Sequence, residues 1–208
     1  MTEIETGNTG SPLVRRRDFL RTGLLAATGL AVGLPTVLVS QDAMAAEVLR
    51  RTEIVAGSIG GPRTLSFVNT HTNEKLTATY WRGGSYEGAA LEEINYILRD
   101  FRTGDVHAIN PGLLNLLSIL NHKVGVSHPV NIISGYRSPR TNAMLRATRE
   151  GGVANRSFHL RGMAIDIRIP GLSTVQIARQ ARALQFGGVG YYSSSDFCHV
   201  DVGPVRTW

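Results

Sequence analysis

Two short segments, residues 157–166 and 196–201, constrain the fold more than any other part of this sequence. They read Ser-Phe-His-Leu-Arg-Gly-Met-Ala-Ile-Asp and Asp-Phe-Cys-His-Val-Asp. Each carries alternating side chains of the kind that two-sided β-strands show, because successive strand residues point to opposite faces. The alternation predicts that Asp166 and His199 lie on matching faces of one sheet. His159 then arrives from the loop that enters the first strand, and Gly162 lets that loop turn tightly.

These residue types indicate a metal site. Two imidazoles and one carboxylate suit one Zn²⁺ per chain, held by His159, Asp166 and His199, with a fourth position left open for water. Such an open site polarises a carbonyl and lowers the pKa of water towards neutrality. Taken alone, each histidine would more often be an ordinary core or surface group, and only the combined spacing favours ligands.

The residues around His199 offer further chemistry. Asp196 lies three positions earlier and could act as general base, or it could simply cap the turn before the strand. Asp201 shares the face of His199 and could orient it, although a surface carboxylate would look the same. Cys198 is the single cysteine, which excludes a disulfide within the chain and a cysteine-rich zinc finger. It alternates away from His199, so we interpret it as a small buried hydrophobe.

The pattern Ser-x-His-x-x-Gly-x-Ala-x-Asp followed by Asp-x-x-His resembles the zinc peptidases related to D-Ala-D-Ala carboxypeptidases and to the Hedgehog amino-terminal domain. Three further segments are similar to the YcbK branch, murein endopeptidase K. They are Ser-Gly-Tyr-Arg-Ser at 134–138, Gly-Gly-Val-Gly-Tyr-Tyr at 187–192 and His-Val-Asp-Val-Gly-Pro at 199–204. The resemblance runs from about Arg63 to Trp208.

That resemblance implies roles for individual residues. Zinc falls on His159, Asp166 and His199, and Asp196 matches the catalytic acid/base. Arg137 matches an arginine near the substrate. A guanidinium there would bind a substrate carboxylate or the developing oxyanion.

Weaker candidates surround these positions. Ser157 could bind substrate near the site or merely cap the loop, and Tyr191, next to Tyr192, could line a cleft or pack in the core. The histidines outside the motifs are not expected to be ligands; they are His71, His107, His122 and His128.

Residues 1–45 read as a signal peptide. Arg16-Arg17-x-Phe19-Leu20 fits the twin-arginine pattern, an uncharged stretch follows to about Ser40, and Ala43-Met44-Ala45 is a small-x-small cleavage pattern. The prediction is export to the periplasm by the twin-arginine machinery. The alternative is a membrane anchor that is never cleaved, although the apolar run is short for a stable span.

The rest of the chain is basic. The four basic and four acidic residues of the signal cancel, so the body keeps the net charge of +6. A basic body favours an anionic partner, such as nucleic acid or cell-wall polymer. The export signal and the lack of a basic helix disfavour nucleic acid.

The hydrophobic patterning predicts an α+β domain with a mainly antiparallel sheet flanked by helices, a Hedgehog/D-Ala-D-Ala-peptidase-like fold by resemblance. We predict a linker at 46–62 and a catalytic domain at 63–208. Predicted strands are 63–69, 75–81, 130–134, 163–169, 188–192 and 197–202; predicted helices are 86–101, one opening at Asn110-Pro111, 139–148 and 173–184.

Three functions fit these observations. The leading hypothesis is an exported zinc metallopeptidase that hydrolyses peptide cross-links of peptidoglycan, with stem peptides as its substrate. The second is a zinc carboxypeptidase that releases a terminal D-amino acid. The third is a non-catalytic, zinc-stabilised cell-wall-binding domain, which the presence of Asp196 and Arg137 argues against. The sequence leaves open which cross-link would be cleaved.

Overall fold

The computed structural model of the protein describes residues 41–125, 128–148 and 153–208, in which helices flank an eight-stranded sheet. The predicted twin-arginine motif and the apolar stretch of the signal peptide lie outside the described residues. None of the helices in the described ranges combines the length and hydropathy needed to cross a membrane.

The elements follow one another closely along the chain. The strands are β1 (Arg63–Asn69), β2 (Lys75–Arg82), β3 (Ser85–Tyr86), β4 (Val130–Ser134), β5 (Ala164–Arg168), β6 (Gly188–Tyr192), β7 (Phe197–Asp201) and β8 (Arg206–Thr207). The helices are α1 (Gln41–Ile59), α2 (Gly88–Ile97), α3 (Pro111–Val124), α4 (Pro139–Thr148) and α5 (Thr174–Leu184), with a 3₁₀ turn at Phe158–Arg161.

The sheet has the strand order β3-β2-β1-β4-β5-β7-β6-β8. Five neighbouring pairs are antiparallel, and two, β1 with β4 and β6 with β8, are parallel. The predicted α+β class with a mainly antiparallel sheet is therefore confirmed. The parallel pairs escaped prediction because each joins strands that are distant in sequence, which local patterning does not report.

The predicted linker at 46–62 is wrong. Most of it belongs to α1, which packs against α3, and α1 lies in the same compact unit as the rest of the described residues. Val48, Thr52 and Ala56 are buried along one side of the helix, at the four-residue spacing that an α-helix requires. The glycines that suggested a linker stop the helix, since Gly60 and Gly61 both take positive φ angles.

The helix predicted over 86–101 is shorter than expected. Tyr86 instead ends a two-residue strand that pairs with Trp81, and its hydroxyl donates to Glu53 in α1. The helix ends at Ile97. The chain then turns back through Asp100, whose side chain accepts the N–H of Arg102.

The core lies between the helices and one face of the sheet. The predicted stripe of α3, Leu113, Leu114, Leu117 and Leu120, is fully buried. Ile165 and Ile167 of β5 join it, as do Cys198 and Val200 of β7, which confirms the faces predicted for these strands. Burial raises the pKa of the Cys198 thiol to about 12, so it stays protonated. The opposite face of the same strands carries polar residues.

Candidate metal centre

A row of four residues crosses the centre of the sheet on its polar face. Ser134 of β4 pairs with Asp166 of β5, Asp166 pairs with His199 of β7, and His199 pairs with Gly190 of β6. Directly opposed residues point to the same face, so their side chains are neighbours. The predicted apposition of Asp166 and His199 is confirmed.

His159 reaches this row from the 3₁₀ turn that precedes β5. Ser157 caps the turn, and its hydroxyl accepts the N–H of His159. Gly162 ends the turn at a φ of 62°, and a Cβ at that position would lie 2.3 Å from the carbonyl oxygen of Ala108. Only glycine fits at this position. The turn that Gly162 ends places His159 on the face of the sheet where Asp166 lies.

The three predicted ligands present their donor atoms as a small triangle. His159 Nε2 lies 3.1 Å from His199 Nδ1 and 3.2 Å from Asp166 Oδ1, and His199 Nδ1 lies 2.8 Å from Asp166 Oδ1. Tetrahedral zinc with bonds near 2.0–2.1 Å spaces its ligands about 3.3 Å apart. The donor set and its spacing therefore fit a single zinc ion with one open position. In the parts of the chain that the structure describes, this is the group suited to a metal.

Each ligand is oriented by a second contact. His159 Nδ1 lies 2.7 Å from the carbonyl oxygen of Gly135, and His199 Nε2 lies 3.0 Å from Asp201 Oδ2. In the neutral rings, these acceptors favour the tautomers that leave His159 Nε2 and His199 Nδ1 with free lone pairs. Arg137 Nη2 donates to Asp166 Oδ2 at 2.5 Å, which turns Oδ1 towards the histidines.

Asp201 has the role of a buried anchor. It is fully buried and accepts hydrogen bonds from His199 and Arg206 and from the backbone of Gly188 and Gly203. Burial by itself would raise its pKa, but His199 and Arg206 outweigh it and hold the pKa at about 2. Of the two interpretations of Asp201, the structure supports the one in which it orients His199.

The ligands also have shifted pKa values. Burial lowers the pKa of His159, so its ring is neutral at physiological pH. Burial alone would raise the pKa of Asp166, but His159 and His199 hold it well below its ordinary value. Burial would lower the pKa of His199, yet Asp166 and Asp201 raise it to about 8. A metal must therefore displace a proton from His199 at neutral pH.

Arg137 contacts the proposed ligand Asp166 directly. Its Nη2 pairs with Asp166 and its Nε donates to Ser134 at 2.9 Å, while the predicted contact with substrate stays a prediction. Its side chain is only 14% exposed. The loop that carries Arg137 is also held at Ser138, whose backbone N–H donates to the buried Asp100. In this structure Arg137 orients a ligand, because the pairing of Ser134 with Asp166 brings the arginine and the carboxylate together.

Asp196 lies in the turn that precedes β7, and its role as general base stays a prediction. Its side chain is 70% exposed and faces Thr174 and Arg168, with Thr174 Oγ1 donating to Oδ1 at 2.5 Å and Arg168 lying 3.5 Å from Oδ2. It does not hydrogen-bond to the ligand triad. The physical reason is its φ of 49°, since a left-handed residue in a turn does not continue the alternation of the strand that follows. Its backbone N–H donates to Ser193, so Asp196 belongs to the turn through its backbone, while its carboxylate contacts the side chains of Thr174 and Arg168.

Neither of the two weaker candidates, Ser157 and Tyr191, directs its side chain towards the three donor atoms. Ser157 acts as the cap of the His159 turn, the second of its two interpretations. Tyr191 pairs with Cys198, so it lies on the face opposite His199. The tyrosine on the metal face is Tyr192, which pairs with Phe197 and stacks on it at 4.5 Å. Counting alternate residues from the register of β6 and β7 would have selected it.

Trp208 was missed altogether. Its ring lies 5.3 Å from that of His199, at an angle of 48°. A lone aromatic residue after a short two-residue strand carries no periodic signal in the sequence, so only the structure reveals it.

A groove adjoins the turn that carries His159. It has a volume of about 520 Å³ and is lined by Ala46, Leu49, His107, Ala108, Ile109, Asn110, Pro111, Leu160, Arg161 and Met163. His107, which we did not expect to be a ligand, stacks on Tyr136 at 4.7 Å. Tyr136 precedes Arg137, so this stack supports the loop that holds Asp166.

Comparisons with known proteins agree on one kind of relative. Residues 58–208 match the family model described as peptidoglycan L,D-endopeptidase MepK. The protein of that name from Escherichia coli K12 is 38% identical over 191 residues, which cover 92% of this chain and 98% of the relative. The probable peptidoglycan L,D-endopeptidase MepK of Haemophilus influenzae is also 38% identical, over 80% of this chain and 89% of its own. The matched region contains the triad and all the contacts that orient it.

Proposed function

Because the chain belongs to the MepK family of peptidoglycan L,D-endopeptidases, we propose that it is an exported zinc metallopeptidase that hydrolyses peptide cross-links of peptidoglycan. The single observation that carries the proposal is the triangle of His159 Nε2, Asp166 Oδ1 and His199 Nδ1, with edges of 2.8–3.2 Å. When bound there, zinc would polarise the scissile carbonyl and activate water for attack.

The protein supplies the remaining functions. The Gly135 carbonyl and the side chains of Asp201 and Arg137 hold the three proposed ligands in the orientation that binding requires. Arg137 uses Nε and Nη2 for this task. We propose that its other amino group, Nη1, meets the substrate carbonyl or carboxylate, so that one residue orients a ligand and contacts the substrate.

Asp196 is the proposed general base. Its carboxylate is exposed, and its contacts to Thr174 and Arg168 are those of a surface residue that can change rotamer at modest cost. In the proposed mechanism it turns towards the attacking water, accepts its proton and passes that proton to the leaving amine.

Two other functions remain as alternatives, and they differ in their products. An endopeptidase converts cross-linked muropeptide dimers to monomers. A carboxypeptidase leaves dimers intact and releases a free D-amino acid. A non-catalytic binding domain would hold the same dimers without releasing either product.

The deciding experiment uses mature protein, stripped with a chelator and reloaded with zinc. We expect purified cross-linked muropeptide dimers to be converted to monomers by the reloaded protein and not by the stripped protein. A His159→Ala, His199→Ala variant serves as control for a contaminating hydrolase. Intact dimers with free D-amino acid, or intact dimers alone, would each contradict the proposal and select one of the alternatives.

Export by the twin-arginine route is part of the proposal. It rests on Arg16 and Arg17 and on the small residues Ala43 and Ala45. Cleavage after Ala45 would leave Ala46–Ile59 of α1 to pack on α3, so the mature domain would keep its helix. We expect Arg16→Lys with Arg17→Lys to abolish export, as cell fractionation would measure. Normal amounts of processed protein in the periplasm of this variant would indicate another route.

A further inference from the structure

The indole of Trp208 lies on the sheet directly beside a metal ligand. Gly190 is paired with His199, and a Cβ on Gly190 would fall 2.7 Å from atoms of the Trp208 ring. The indole therefore occupies the space where a side chain at position 190 would stand. Trp208 as a whole residue is 46% exposed, and its ring lies 5.3 Å from the His199 ring.

Several contacts fix the orientation of this indole. The backbone N–H of Trp208 donates to Val189, and the Trp208 carbonyl accepts the N–H of Tyr191. Its Nε1 donates to the Tyr192 hydroxyl at 2.7 Å. The Arg206 guanidinium lies 5.0 Å from the Trp208 ring while it binds Asp201, the residue that orients His199. Arg206 thus contacts both the Trp208 ring and Asp201, which orients the proposed ligand His199.

We propose that Trp208 is a specificity-determining residue whose exposed indole surface binds the hydrocarbon part of the amino acid next to the scissile amide. The inference rests on the proposed substrate, a cross-linked stem peptide. An aromatic ring that is held at its edge by a hydrogen bond and left open to solvent offers a flat apolar surface at little cost in conformational entropy. Trp208 is partly exposed and its ring lies beside His199, so a substrate bound at the donor triangle would meet it.

The kinetic test compares wild type with three variants at matched zinc content, with muropeptide dimers as substrate. Trp208→Ala should raise KM roughly tenfold and change kcat by less than about threefold, because a surface that binds ground state and transition state alike acts mainly on KM. Trp208→Phe keeps an aromatic surface, and its KM should lie between those of wild type and Trp208→Ala. Val205→Ala removes an exposed side chain of the same segment and should leave KM within about twofold of wild type.

A second readout does not depend on turnover. The chain has two tryptophans, so Trp81→Phe leaves Trp208 as the single reporter. Cobalt bound at the triad should quench its fluorescence, because the ring lies beside His199. Adding muropeptide dimers to the zinc-loaded protein should shift the emission to shorter wavelength in a saturable way, as the substrate displaces water from the indole.

The outcomes separate this proposal from the one on which it rests. A KM for Trp208→Ala within twofold of wild type, or turnover without any emission shift, would overturn the role of Trp208 and leave the hydrolase intact. A saturable shift without turnover by the wild-type protein would retain the binding surface and overturn the hydrolase. Loss of zinc from Trp208→Ala would show that the residue only supports the metal site, which also overturns the proposal.

Discussion

The two ends of the segment Asp196–His199 behave very differently. His199 is buried, lies within a regular strand and contacts three carboxylate or imidazole partners. Asp196, three residues earlier, is mostly exposed and takes a left-handed backbone conformation. The ligand end is fixed by strand register on both sides, whereas the proposed base is held by two contacts of a surface turn.

This difference separates positions whose geometry is fixed in the folded protein from positions that can adjust during a reaction. A metal needs donor atoms within tenths of an ångström of each other, and paired strands provide that precision. A general base must reach its proton only during the reaction, and its contacts in the free enzyme can be loose. Substitutions at the two ends should therefore change different measured quantities.

The largest expected effect is at the ligand end. Wild-type protein should bind about one zinc per chain, and His199→Ala should lose both zinc and muropeptide cleavage, because the remaining two donors do not form a closed site. Metal analysis and turnover of the same samples measure this. Full zinc occupancy in the His159→Ala, His199→Ala double variant would show that zinc binds elsewhere than at the triad.

At the other end, Asp196→Asn should keep zinc and fold but lose turnover by roughly 10²–10⁴-fold, the range usual for general acid–base catalysis. Asparagine preserves the size and the turn preference of the residue while removing the base. Cleavage rates at matched zinc content are the measurement. Near-equal rates would support the turn-cap interpretation and exclude Asp196 as the general base.

The pH dependence of zinc binding probes the ligand end without mutation. The pKa of His199 is raised to about 8 in the metal-free protein, so its ring is protonated below that pH and zinc must displace the proton. Apparent zinc affinity should therefore fall as pH drops below 8, by about tenfold per unit for one displaced proton. A titration with a competing chelator between pH 6 and 9 measures the slope. A flat profile would mean that His199 gives up no proton.

Asp201→Asn should weaken zinc binding by roughly 10–100-fold, the usual cost of removing a residue that orients a metal ligand. The amide can no longer act as an anionic acceptor for His199, and it leaves Arg206 without its carboxylate. Glu47→Gln, which removes an exposed ion pair with Arg50, is the matched control and should not change zinc affinity. Equal affinities in both variants would show that strand register alone orients His199.

The smallest effect concerns the contacts of Asp196. Thr174→Ala removes the hydroxyl that donates to its carboxylate and should change kcat by only a few-fold, since the carboxylate of Asp196 itself is 70% exposed and keeps water as a partner. Val175→Ala, at an exposed position one residue later, controls for disturbance of the helix start. A loss as large as that of Asp196→Asn would mean that the observed position of Asp196 is already its working position.

The sequence predicted those parts of the molecule where regular alternation and motif spacing coincide. The faces of β5 and β7 and the Asn110 cap of α3 are confirmed by the structure, which also brings His159, Asp166 and His199 together as expected. It failed for α1, because the glycines at the end of that helix outweighed the spacing of Val48, Thr52 and Ala56. It also placed Tyr191 beside the site, because the register of β6 with β7 lies beyond what one segment reveals. The substrate contact of Arg137 stays a prediction, and the sequence did not reveal the pairing of Arg137 with Asp166, because that contact depends on tertiary structure.

Trp208 and Gly190 carry an evolutionary consequence. The indole fills the volume above the Cα of Gly190, so position 190 cannot gain a side chain while the indole occupies that space. Homologues that keep a large aromatic residue at position 208 should keep glycine at position 190. Homologues that replace the aromatic residue should be the ones in which position 190 acquires a side chain, and a sequence alignment of the family should show the two columns varying together.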